Sequence, residues 1–182
     1  MNSLVSFVKL HGVLAFTLVP LTLAAEQKAP IASRPVMGWL ESVRLDPWGT
    51  RVRAKLDTGA KTSSISAEDL EVYKKKGKKR IRFVLPIPRR NNKTRRELVD
   101  LPVLREVIIK QHGQANKTRP VVQMSFCLNG QRYKAHFTLT DRTDFHYPIL
   151  LGRRFLQDVA IVDPAQIFLT RAKCPKKSTD LD

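Results

Sequence analysis

The residues best suited to chemistry in this 182-residue chain are Asp57, Thr58 and Gly59. Val52, Ala54 and Leu56 alternate with polar neighbours, the pattern of a strand with one buried face, and that strand runs straight into the Asp-Thr-Gly turn. Such a strand delivers a carboxylate to a tight turn. Gly59 permits backbone geometry that a side chain would forbid, and the Thr58 hydroxyl can hold the turn while Asp57 stays presented to a cleft. A carboxylate displayed in this way suits general acid and base work on an attacking water. Alone, the tripeptide also fits an ordinary turn, because short motifs recur by chance.

A second segment lies far downstream. Tyr147-Pro-Ile-Leu-Leu-Gly-Arg-Arg-Phe-Leu156 is an apolar run closed by Gly152 and followed by a helix-like start. In order and type, Leu56-Asp57-Thr58-Gly59-Ala60 followed by Leu150-Leu151-Gly152-Arg153 resembles the retropepsin-like aspartic proteases. There a hydrophobic strand ends in Asp-Thr/Ser-Gly-Ala, and a later hydrophobic-hydrophobic-Gly-Arg segment leads into a helix beside the active site. Within that superfamily the chain is most similar to a bacterial branch known as ATP-dependent zinc proteases. The matching pieces are Gly38-Trp39, the run from Ala54 to Ser64, Leu139-Thr140-Asp141-Arg142, Leu150 to Arg153 and Val162-Asp163-Pro164, spanning roughly residues 36–170.

The resemblance implies a mostly β fold, a retropepsin-like closed β-barrel with one short C-terminal helix. It implies Asp57, Thr58 and Gly59 as catalytic residues, and Ala60, Lys61, Ile149, Leu150, Gly152 and Arg153 as substrate-binding ones. Two strands, Leu104 to Lys110 and Arg119 to Leu128, are joined by residues 111–118 where retropepsins carry a flap that closes over bound peptide. His112 and Gly113 in that connection join the substrate-binding set. The zinc and ATP of the branch's name have no counterpart in the sequence, which lacks His-Glu-x-x-His and a Gly-x-x-x-x-Gly-Lys-Ser/Thr loop and holds two Cys and four scattered His. No metal or cofactor is expected.

Around these motifs stand the elements that position them. Val36 to Leu45 reads as a strand, turned by Asp46-Pro-Trp-Gly49 onto the strand that ends at Asp57, with Trp39 and Trp48 as core and turn packing. The hydroxyls of residues 62–70 can close the loop after Ala60. Lys61 either favours the ionised form of Asp57 or points to solvent. Ile65, Ile149, Leu150 and Phe155 are wall candidates for a cleft selecting apolar residues on both sides of the scissile bond. Asn129-Gly130 is a hairpin signal that pairs the preceding strand with Arg132 to Thr140.

Residues 1–25 read as a secretory signal peptide, with an apolar stretch from Gly12 and small residues before the polar switch at Glu26. An uncleaved membrane anchor is the other reading. Residues 26–35 form a linker, 36–172 the retropepsin-like domain and 173–182 a tail, so that the chain beyond the signal falls within one domain's usual length. The protein is then periplasmic or secreted. A net charge of +17 attracts anionic partners, and export directs that charge to acidic proteins or to an anionic membrane or envelope surface rather than to nucleic acid. The basic runs at residues 74–80 and 89–96 read as loops at opposite ends of a strand from Ile81 to Pro88, serving either solubility or docking on anionic surfaces. Cys127 and Cys174 are either a disulfide pinning the tail or two free thiols.

Amide hydrolysis by carboxylates needs two of them sharing a proton, and this chain has one Asp-Thr-Gly. The reading is therefore an exported aspartic endopeptidase acting on a peptide or protein substrate, with a dyad formed across a homodimer. A non-catalytic module of the same fold, binding peptides or anionic envelope components, is the alternative.

Overall fold

The computed structural model describes residues 33–88, 93–111, 114–142 and 145–175. The expected signal segment, most of the linker, the end of the tail, and His112 and Gly113 lie outside the described residues.

The fold is mostly β with one short helix. Strand β1 (Val36–Leu45) and strand β2 (Thr50–Asp57) form the expected antiparallel pair across residues 46–49, with Val43 opposite Val52 and Glu41 opposite Ala54. The alternation in β2 buries Val52, Ala54 and Leu56 and leaves Arg51 and Arg53 exposed. Strand β3 (Ser63–Ser66), in the stretch whose hydroxyls are expected to close the loop after Ala60, is fully buried. Strand β10 (Ile149–Gly152) inserts between β2 and β3, parallel to the first and antiparallel to the second. Beyond β3 come β9 (Gln131–Thr140), β8 (Gln114–Leu128) and β7 (Arg105–Gln111). Strand β11 (Ile161–Ile167) lies parallel to β1 at the other edge, giving the order β11-β1-β2-β10-β3-β9-β8-β7. One further pairing joins β1 to β8, Arg44 to Cys127 and Leu45 to Phe126. The helix α1 (Arg153–Leu156) follows β10 directly.

Burial follows the strand pattern. Val122, Met124, Phe126 and Leu128 share the buried face of β8. Asn129 and Gly130 turn the chain into β9 with φ of 48° and 74°, the positive values that a two-residue hairpin turn of this hand requires. Buried Glu41 accepts from the N–H groups of Gly38, Leu169 and Thr170 and from the Thr170 hydroxyl, fastening the chain after β11 to β1. Cys127 and Cys174 form a disulfide that ties the C-terminal stretch to β8, settling a pairing that spacing left open.

The structure corrects two expectations about loops. Residues 74–80 are no loop. They are the ends of β4 (Glu68–Lys75) and β5 (Lys78–Pro88), joined at Lys76 and Gly77, whose φ of 51° and 74° repeat the Asn129-Gly130 geometry with a lysine in the first place. With β6 (Thr94–Pro102), which takes in Arg95 and Arg96, they form a separate three-stranded sheet. That sheet turns Ile81, Phe83, Leu85, Ile87 and Val99 into the core. The connection after β7 is also shorter than residues 111–118, because β7 runs to Gln111 and β8 starts at Gln114.

Candidate active site

Asp57 is the last residue of β2, and Gly152 of β10 is its neighbour in the parallel register. The β2 alternation that buries Leu56 turns Asp57 to the other side, where its side chain keeps 22% of its exposure. Its Oδ1 accepts from the N–H groups of Gly59 at 3.0 Å and Ala60 at 3.2 Å, so the turn folds back to cradle the carboxylate. Its Oδ2 lies 3.2 Å from the Lys55 ammonium. Burial by itself pushes the carboxyl up, but the Lys55 ammonium and the two N–H donors outweigh it and hold Asp57 below the ordinary aspartate range. In this single chain Asp57 is a charged carboxylate near neutral pH.

The turn is clamped from the other motif. Arg153 donates through Nη1 to the carbonyl oxygens of Thr58 at 3.0 Å and Gly59 at 2.8 Å. The N–H groups of Arg153 and Arg154 donate to the carbonyls of Ala60 and Lys61. Gly152 makes this approach possible: a Cβ there would stand 2.6 Å from the Thr62 carbonyl carbon and 3.0 Å from the Ala60 oxygen. Its N–H donates to Ser63 Oγ at 3.0 Å, so a hydroxyl does close the loop, as expected of this stretch.

Several residues sit differently from the sequence reading. Among the described residues the bonds that hold the turn run through Asp57 and Arg153, rather than through the Thr58 hydroxyl. Thr58, Gly59 and Lys61 are exposed and Ala60 is half-buried. The cation on Asp57 is Lys55, whose place two positions earlier on the same strand face was a usable signal. Ile149 and Ile65 are core residues, 1% and 0% exposed and paired with each other across β10 and β3, so neither walls a cleft. Leu150 is buried too, but on the opposite face of β10, level with Lys55.

Arg142 belongs to the site although motif reading gave it no role. It is buried, donating to Ser64 Oγ at 3.1 Å and to the Tyr147 carbonyl, with its guanidinium 4.4 Å from the centre of the Phe145 ring. Burial pulls its basicity down, the charge on Asp57 opposes that, and Arg119 adds to it. Arg142 thus ties the connection into β10 to β3 and contributes positive potential at Asp57.

The described residues do not fit a zinc ion. Among the described residues no three His, Cys, Asp or Glu side chains come together as a ligand set, and both cysteines are bonded to each other.

Residues 36–173 match the family model of the retropepsin-like aspartic endopeptidase RimB. The chain belongs to this RimB-like family. In the solved structures, it resembles the Legionella pneumophila protein Lpg0085, of unknown function, at 31% identity and a TM-score of 0.63, over 76% of this chain and 100% of that one. Two curated relatives are named probable alpha-L-glutamate ligase. The one from Desulfotalea psychrophila is 32% identical over 63% of this chain, and the one from Shewanella pealeana 31% over 64%. The matched part spans about a quarter of each ligase, 24% and 25% of their lengths.

Proposed function

We propose that this protein is an exported aspartic endopeptidase whose catalytic dyad is two Asp57 carboxylates, one from each chain of a symmetric homodimer. The observation that carries the reading is the Asp57 carboxylate itself, cradled by Gly59 and Ala60, clamped through Arg153 and left open to solvent at the end of β2. A second chain bringing its own Asp57 close raises the affinity of the pair for one shared proton, because two adjacent carboxylates resist ionising together. The ionised Asp57 then takes a proton from water as the water oxygen bonds to the scissile carbonyl carbon. The protonated partner donates to the carbonyl oxygen, and collapse of the adduct breaks the C–N bond as the amine nitrogen takes up a proton. The pairing of β1 with β8 supports reading β1, β2, β10, β3, β9 and β8 as a closed barrel. The disulfide supports export, since such bonds persist in oxidising compartments.

The substrate class that fits is an acidic peptide. With Ile65 and Ile149 in the core, two of the four expected apolar wall residues fall away, while the net charge of +17 favours carboxylate-rich chains. The relatives named as probable glutamate ligases share only a quarter of their length with this chain, and that naming for glutamate chemistry adds support to an acidic peptide as the substrate.

One observation favours a second reading, a module that binds peptide without cutting it: Lys55 holds Asp57 charged, and a dyad needs a shared proton. Incubating the protein with an oligoglutamate peptide and analysing the products by mass spectrometry separates the two. Hydrolysis that Asp57→Asn abolishes supports the protease; tight binding with no cleavage supports the module.

A further inference from the structure

A cavity of about 230 Å³ lies beside the catalytic loop, lined by Thr62, Ser63, Arg105, Lys134, His136 and Arg154, with Ala135 completing the wall and Phe155 as its apolar floor. Strand β9 presents Lys134 and His136 on one face, β7 supplies Arg105, and α1 supplies Arg154. Arg105 donates to His136 Nδ1 at 3.1 Å, so the ring's N–H sits on the opposite nitrogen, Nε2. Among the described residues none of Arg105, Lys134 and Arg154 pairs with a carboxylate, and no acidic side chain lines the cavity. Ser63 Oγ already accepts from Gly152 N–H, so its own hydroxyl proton is free to donate.

From this donor lining over an apolar floor, we infer that the cavity is a binding site for the side-chain carboxylates of an acidic peptide. Charge-assisted hydrogen bonds from three cations and an imidazole N–H suit carboxylate oxygens. The Phe155 ring, half-buried against Phe126 and Tyr133, suits the methylenes that carry them. The space admits a side chain or two and no folded partner. The site is coupled to Asp57 through the chain: Arg154 N–H holds the Lys61 carbonyl, and Ser63 holds Gly152, the strand neighbour of Asp57. The inference rests on the acidic-peptide reading of the proposed function, and it assigns that peptide a second foothold away from the scissile bond.

The test is binding of N-acetyl-tetraglutamate to the full chain carrying Asp57→Asn, so that no cleavage intervenes and failure of hydrolysis does not bear on the result. In that background, adding Lys134→Gln and Arg154→Gln is expected to weaken binding at least tenfold. Lys75→Gln with Lys78→Gln, which removes the same charge from the β4–β5 hairpin, leaves binding within about twofold, as an interaction local to the cavity requires. The His136 ring resonances shift on titration. Equal weakening by both pairs, or an unmoved His136, overturns the site in favour of diffuse charge attraction. Inorganic phosphate binding there more tightly than the peptide overturns the carboxylate assignment.

Discussion

Arg153 reaches the Gly59 carbonyl, 94 positions away in sequence, through a hydrogen bond of 2.8 Å, and with it holds the turn that cradles Asp57. The two sequence motifs are therefore one structural unit. Arg153→Ala removes two charge-assisted bonds at an exposed turn, and urea unfolding is expected to show a loss of about 1–2 kcal/mol. Peptide hydrolysis falls further than stability does, because the turn that orients Asp57 loosens in the folded protein. A variant with unchanged activity would detach the clamp from the site.

Gly152→Ala tests the close approach of α1 to the loop. The added Cβ meets backbone atoms of Thr62 and Ala60, which cannot swing aside as a side chain can. The expected cost is about 1–3 kcal/mol, as for other overpacked interiors, read by thermal or urea unfolding.

The legible part of this fold was the part written in local alternation. The strands ending at Asp57 and Leu128, and the Asn129-Gly130 turn, follow from period-two burial and a familiar turn dipeptide, whereas β1, with Leu40 to Val43 all buried, is marked by the turn after it. The β4–β5 hairpin stayed hidden because seven residues of mostly like charge look solvated, and because Lys76 takes the positive φ more often given to asparagine. Strand β11 stayed hidden because Pro164 and its exposed residues give no alternation; its partner β1 lies far off in sequence. In the site, Asp57 and Arg153 came from motif order, whereas the inward places of Ile65 and Ile149 depend on β10 inserting between β2 and β3, a long-range pairing that no local pattern encodes.

Lys55 sets where Asp57 titrates. Its ammonium is a main reason the carboxyl lies low, so Lys55→Met raises the Asp57 pKa and the ionised form is lost at a higher pH. The acid limb of the pH–kcat/KM profile is expected to move to higher pH, with the alkaline limb less affected. An acid limb that stays in place or moves down contradicts the assignment of that limb to Asp57.

Replacing both Cys127 and Cys174 with alanine opens a closure of 47 residues in sequence and is expected to cost about 2–4 kcal/mol on unfolding. Cys127 pairs with Arg44 of β1, which is level with Arg51 at the opposite end of β2 from Asp57, so activity of the folded fraction persists.

The shared dyad is tested most directly by mixing chains. Asp57→Asn keeps the size of the side chain and removes its charge, so the mixed chains still fold and associate. If subunits exchange freely, a half-and-half mixture with wild type retains about one quarter of the activity of the same total wild-type protein, because only wild-type pairs carry a complete dyad. Activity that falls only to about one half, in proportion to the wild-type chains present, means that each chain works alone and contradicts the account.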